Sequence, residues 1–181
     1  MPKVVIDNTK GLIQEEGSGI VVKNALSFSS TGGFLRPVET ITGTVNLLEN
    51  EDSGKILFCD ANAAAVAIQL PAIQDTSAGW FIRVVSTEAI SNAHTLVVQT
   101  SNSLENKLAG SAIMLNRDSG AAAAISSGYG TSNDNTITFL RSATDNSACE
   151  AAYVDIYSDG LFFYFHAFAV CDGQTNVITV A

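Results

Sequence analysis

From about residue 38 the chain is a succession of short strand-sized runs, some apolar throughout and some alternating apolar and polar residues with a period of two, bounded by Gly, Asn, Asp or Ser. That period puts successive side chains on opposite faces of an extended backbone, so each alternating run predicts a half-buried β-strand. The runs fall at 38–45, 55–60, 65–70, 79–86, 95–100, 112–115, 136–141, 151–157 and 161–170, with 176–180 as a last one. Their number and spacing suit a sandwich or barrel. Asp159-Gly160 between two such runs predicts a hairpin, because Gly tolerates the positive φ that a tight turn needs. Helix has little purchase. The Ala-rich stretches 61–65 and 120–125 are about one turn long and hemmed by Gly, Asn or Asp, and helices that short gain too little to stand alone.

Two runs say more than their period. Tyr153, Asp155 and Tyr157 alternate with Val154 and Ile156, the pattern of a strand with one wet face. In Leu161-Phe162-Phe163-Tyr164-Phe165-His166-Ala167-Phe168 both faces are apolar, so burying one would leave an aromatic ladder in water. Such a strand lies between two layers or turns its second face to another subunit.

Residues 1–36 read differently. The short apolar runs Val4-Val5-Ile6 and Ile20-Val21-Val22 are threaded on Gly11, Gly17-Ser18-Gly19 and a Ser-, Thr- and Gly-rich stretch at 27–33. This punctuation suits an extended arm that gains order along a partner, by strand addition or by filling a groove. The expected architecture is therefore all-β: an antiparallel sandwich or jelly-roll-like barrel over 37–181, preceded by an N-terminal arm over 1–36.

Composition narrows the function classes. The 181 residues are long enough for one domain with a core plus an arm. Only 15% of them are charged, against about 25% in typical domains. Either part of this surface is buried in an assembly or the domain covers itself in Ser, Thr and Asn. The arm carries Lys3, Lys10, Lys23 and Arg36 against Asp7, Glu15 and Glu16, while the remainder holds 15 acids and 5 bases. Nucleic acid, whose binding rests on Lys and Arg contacts to phosphate, is not an expected partner of such a body. A membrane is not expected either: the opening apolar run is shorter than the core of a signal peptide, and 161–170 is too short to span a bilayer. Synthesis and retention in a cytoplasm follow as the expectation. Cys59, Cys149 and Cys171 are odd in number and widely spaced, which predicts free thiols and neither a disulfide framework nor a zinc site.

Candidate chemistry is sparse. His94, in the turn-like Ser91-Asn92-Ala93-His94, and His166, inside the aromatic strand, are the only histidines, and they read as a surface-turn residue and a satisfied core residue. No Gly-x-Ser-x-Gly elbow occurs. Gly17-Ser18-Gly19 and Gly128-Tyr129-Gly130 lack the Lys-Ser/Thr of a phosphate loop and read as turns. Asp134 and Asp145-Asn146 offer oxygens but no calcium-loop spacing, and Glu15-Glu16 and Glu51-Asp52 read as solvated acids in polar loops. Trp80, the only Trp, is the one residue that could serve a sugar platform. The expectation is a non-enzyme with no catalytic, cofactor-binding or metal residues.

One order of motifs carries a resemblance. Asp52-Ser53-Gly54-Lys55 leads into Ile56-Leu57-Phe58; Ala67-Ile68-Gln69-Leu70-Pro71 follows, then Gly79-Trp80-Phe81, a His-containing turn into Leu96-Val97-Val98, and Tyr153-Val154-Asp155-Ile156-Tyr157-Ser158-Asp159-Gly160. Over about residues 40–170 this resembles a β module of tailed-bacteriophage virion surface proteins, namely capsid decoration (cement) proteins and tail-fibre domains. In that family Asn and Trp often follow the last turn Gly, whereas Leu161-Phe162-Phe163-Tyr164 stands there in this chain. The opening Ile6-Asp7-Asn8-Thr9-Lys10-Gly11-Leu12 is also similar to the starts of small phage head proteins. The resemblance implies a decoration protein on the outer surface of the capsid, made in the host cytoplasm. Its expected partners are the major capsid protein and two further copies of itself in a homotrimer. The alternatives are a tail-fibre or receptor-binding domain and, from another class, a carbohydrate-binding β-sandwich.

Overall fold

The computed structural model of the protein describes residues 4–7, 11–14, 27–28, 34–90, 94–101, 107–116, 125–140, 148–172 and 178–181. Within the arm, β1 (Val4–Asp7) pairs antiparallel with β2 (Gly11–Gln14), and β3 (Ser27–Phe28) with β4 (Phe34–Leu35). Among the described residues neither pair joins a body sheet. Ile20-Val21-Val22, Gly17-Ser18-Gly19 and Glu15-Glu16 lie outside the described residues.

The body is the expected all-β sandwich, and its sheets are mixed instead of purely antiparallel. Six strands alternate between them: β5 (Val38–Ile41), β6 (Thr44–Asn46), β7 (Ile56–Cys59), β8 (Val66–Gln69), β9 (Phe81–Ser86) and β10 (Thr95–Gln99). β5, β7 and β9 pair in parallel in one sheet, and β6, β8 and β10 pair in parallel in the other. Residues 38–99 thus wind three times around the core as a flattened coil that gives one strand to each sheet per turn. The reading of 38–45 as one strand is corrected by this winding, since Thr42-Gly43 is where the chain crosses between sheets. A four-residue helix α1 (Glu49–Asp52) sits in one connection, where the sequence pattern predicts no helix. Asp52 accepts a hydrogen bond from the Leu48 N–H and another from Lys55 Nζ, each at 2.5 Å, and so holds the turn instead of facing solvent.

The second half of the chain closes the sandwich with β11 (Leu108–Asn116), β12 (Ile125–Asp134), β13 (Thr136–Leu140), β14 (Ala148–Ser158), β15 (Phe163–Asp172) and β16 (Ile178–Val180). The larger sheet runs β12-β11-β15-β14-β9-β7-β5, the smaller β16-β13-β10-β8-β6. Gly128-Tyr129-Gly130, which the pattern reads as a turn, lies within β12. Gly is a weak strand former, and here pairing with β11 decides.

Between the sheets lie Leu57, Ile82, Val84, Val154, Ile156, Phe163 and Phe165 from one side and Val66, Ile68, Leu96, Val98, Ile137 and Phe139 from the other, all buried. These are the inward positions of the period-two pattern. At about 25 cal/mol per Å² of apolar surface this core is the main stabilising term.

The β14–β15 hairpin is closed by Asp159, whose Oδ1 accepts the N–H groups of Leu161 and Phe162 at 2.7 Å, while Gly160 sits at φ +87°. Those two backbone donors, Phe162 foremost, hold the Asp159 carboxyl below its usual range. The hairpin support is therefore fully present above the ordinary aspartate value of about 3.9 and is lost as pH falls through the lowered value. We expect the stability difference between wild type and Asp159→Ala to be constant near neutral pH and to shrink in acid. Denaturant titrations across that range check it, and a difference that stays flat contradicts it.

Candidate functional site

The period of two that fills the core also builds the outer face of the seven-stranded sheet, and the cross-strand register arranges that face in rows. One row is Phe81, Tyr157 and Tyr164; the next is Arg83, Asp155, His166 and Ser111; the third is Val85, Tyr153, Phe168 and Ile113. A polar row is thus flanked by two apolar and aromatic ones on adjacent strands. Tyr157 is 49% and Tyr164 45% exposed.

In the middle row, Arg83 Nε and Nη2 donate to the two oxygens of Asp155 in a bidentate pair. Asp155 is only 9% exposed, so the pair is what makes a carboxylate tolerable under this face. Hydrogen bonding to Asp155 also pushes the Arg83 guanidinium pKa up. Around the pair the rings pack on one another. Phe81 stacks on Tyr157 at 5.9 Å and Tyr153 on Phe168 at 5.6 Å, with Arg36 over Phe81 and Arg83 over Tyr153. Phe162 and Tyr164 meet at 6.5 Å, Lys107 lies over Phe162, and Tyr164 Oη donates to Asp159 Oδ2.

His166 is therefore not a core histidine. It stands on this outer face, its Nδ1 2.7 Å from Ser111 Oγ, because the inward positions of β15 are Phe163, Phe165, Ala167 and Ala169. Ser111, His166 and Asp155 follow one another across three strands, which invites comparison with a hydrolytic relay. The geometry differs from one. Both Asp155 oxygens are held by Arg83, no hydrogen bond among the described residues joins Asp155 to His166, and the row lies on a sheet face. His94 is half-buried just before β10, its Nδ1 2.9 Å from the Asn62 carbonyl; Ser91-Asn92-Ala93 lies outside the described residues.

The remaining candidates disperse. Trp80 is 3% exposed and packs edge-on against Phe163 at 5.8 Å, so it offers no platform to a sugar. All three cysteines are buried, and burial pushes the Cys59 thiol up to about 12. Cys149 and Cys171, far apart in sequence, stand opposite each other on β14 and β15. Asp134 ends β12, and Asp145-Asn146 lies outside the described residues. Among the described residues no group of three or more His, Cys, Asp or Glu could hold a metal ion, and no helix is long and apolar enough to cross a membrane.

Sequence reasoning identified Tyr153 and Tyr157 as outward residues and the run 161–168 as apolar on both faces. It missed Phe81, Arg83 and the Arg83–Asp155 pair, because strand neighbours 72 residues apart leave no local signal. Comparison with known proteins adds nothing to this picture: no family model, no curated protein and no solved structure matches the chain.

Proposed function

We propose that the protein is a non-enzymatic structural component of a tailed-bacteriophage particle, a capsid decoration protein that binds the outer surface of the head shell and stabilises it. The observation that carries this reading is the outer face of the larger sheet, where aromatic rows flank a bidentate ion pair. A riveting protein needs contact area and complementary edges more than it needs chemistry. The resemblance of residues 40–170 to phage surface proteins supplies the rest. In this account the aromatic face joins copies into a homotrimer, as closed oligomers commonly bury such patches around a symmetry axis. The arm, with its two short hairpins outside the body sheets, anchors each copy to the major capsid protein by strand addition.

A carbohydrate platform on the same face is the weaker reading. Sugars bind to open ring faces, whereas Phe81, Tyr157, Tyr153 and Phe168 each spend a face on a neighbouring ring.

Deleting residues 1–36 tests the anchoring step. The truncated protein should remain folded and keep its oligomeric state, yet fail to saturate head shells that lack the protein. Equal saturation by full-length and truncated protein contradicts the arm's role.

A further inference from the structure

At the end of the β14–β15 ladder opposite the Asp159 turn, two cysteines face each other. Cys149 and Cys171 are register partners, one step inside the last pair, Ala148 with Asp172. Both are buried on the inner side of the sheet. Strand parity alone would not bring them together. Ala152 and Val154 point inward, so an uninterrupted β14 would turn Cys149 outward, away from Cys171. The register shift between Cys149 and Ala151 adds one residue to β14 and turns Cys149 back to the inner side.

The backbone sets how close the partners stand. In an antiparallel ladder the N–H and C=O of one residue point to the same side. The Cys149 carbonyl accepts from the Ile90 N–H at 2.8 Å and is therefore directed away from β15. That makes Cys149 and Cys171 a non-hydrogen-bonded pair, the kind whose Cα atoms lie only about 4.5 Å apart. A disulfide spans Cα separations of about 4.4–6.8 Å, so the ladder already holds the two residues within reach of one. Cys59 is placed otherwise. It stands on β7 with β9 between it and β14, at least two strand spacings or about 10 Å from Cys149. Burial also keeps Cys59 a thiol, and the thiolate is the reactive form.

We propose that Cys149 and Cys171 form a redox pair that closes to a cross-strand disulfide, with a small-molecule disulfide such as glutathione disulfide as the reactant. One cysteine loses its proton, attacks a sulfur of the reagent and expels one glutathione thiolate. The other then loses its proton, attacks the protein sulfur of the mixed disulfide and expels the second glutathione thiolate. Two electrons pass from the pair to the reagent, and the two released protons return to the glutathione thiolates. The pair lies one step from the end of its ladder, and opening such an end takes little free energy, so the reagent gains entry there. The bond ties β14 to β15 and closes a loop of about twenty residues, constraining the unfolded chain. It is expected once the protein leaves a reducing cytoplasm. The inference is independent of the decoration reading, because it uses only one chain's own ladder.

For the test, the full-length protein is reduced with dithiothreitol, desalted and incubated with glutathione disulfide, and its bonds are mapped by mass spectrometry of peptides cut without reduction. The map should show a Cys149–Cys171 bond within one chain and Cys59 as a thiol. Melting of the same samples should give a Tm about 6–12 °C higher for the oxidised protein, a gain that dithiothreitol reverses. Cys149→Ala and Cys171→Ala should each abolish the bond and the Tm difference between oxidised and reduced samples, whereas Cys59→Ala should keep both. Where a variant does not fold, the wild-type map decides alone. No bond in the folded wild-type protein overturns the proposal. So do glutathione adducts without the cross-strand bond, a bond that involves Cys59, or a bond that forms only in denaturant.

Discussion

Gly110→Ala should unfold the body or cost it more than about 3 kcal/mol, beyond the usual loss for one added methyl group. Gly110 lies in β11 opposite Phe165 of β15, and a Cβ there would come within 2.1 Å of the Phe165 carbonyl oxygen and 2.8 Å of its ring. The ring of a buried phenylalanine covers a glycine on the neighbouring strand, an arrangement that fills the gap a missing side chain leaves. The closer of the two contacts is with backbone. Trimming the ring by Phe165→Ala in the Gly110→Ala background should therefore not restore stability, although it would if the ring alone were in the way. Thermal denaturation of the single and double variants checks both statements. A Gly110→Ala protein within about 1 kcal/mol of wild type would mean that β11 and β15 are not paired in this register.

The second large effect separates the two faces of β15. Phe165 is buried between the sheets, and Phe165→Ser should cost about 3–5 kcal/mol, as emptying a core aromatic site commonly does. Phe162 and Tyr164 lie on the other side. Phe162→Ser with Tyr164→Ser should leave the body folded and break the oligomer, because it removes ring contacts from the exposed face only. Light scattering and circular dichroism on the same samples give both readings. A wild-type mass equal to one 19.0 kDa chain at micromolar concentration contradicts the oligomer; a dimer keeps the face as an interface and removes the threefold arrangement.

How far these features were legible follows from what alternation encodes. It told which residues of a strand face inward, so Val154, Ile156, Phe163 and Phe165 were readable as core and Tyr153 and Tyr157 as outward. It says nothing about which strand lies beside which. The three-turn coil of β5 to β10 was therefore hidden, as parallel and antiparallel neighbours leave the same period in the chain. β12 was hidden for another reason: Ser126-Ser127-Gly128-Tyr129-Gly130 has the composition of a loop, and only its partner β11 makes it a strand. His166 was placed in the core from its apolar surroundings in sequence, yet its parity on β15 matches Tyr164 and Phe168 and already put it outside.

The central claim, that this chain decorates a phage head, is tested most directly by locating it on particles. Purified protein carrying a gold label would be mixed with tailed-phage particles that lack it and imaged. The account predicts label spread over the head surface at regular positions, with the tail bare. Label confined to the tail fibres, or no attachment to any part of the particle, would contradict it.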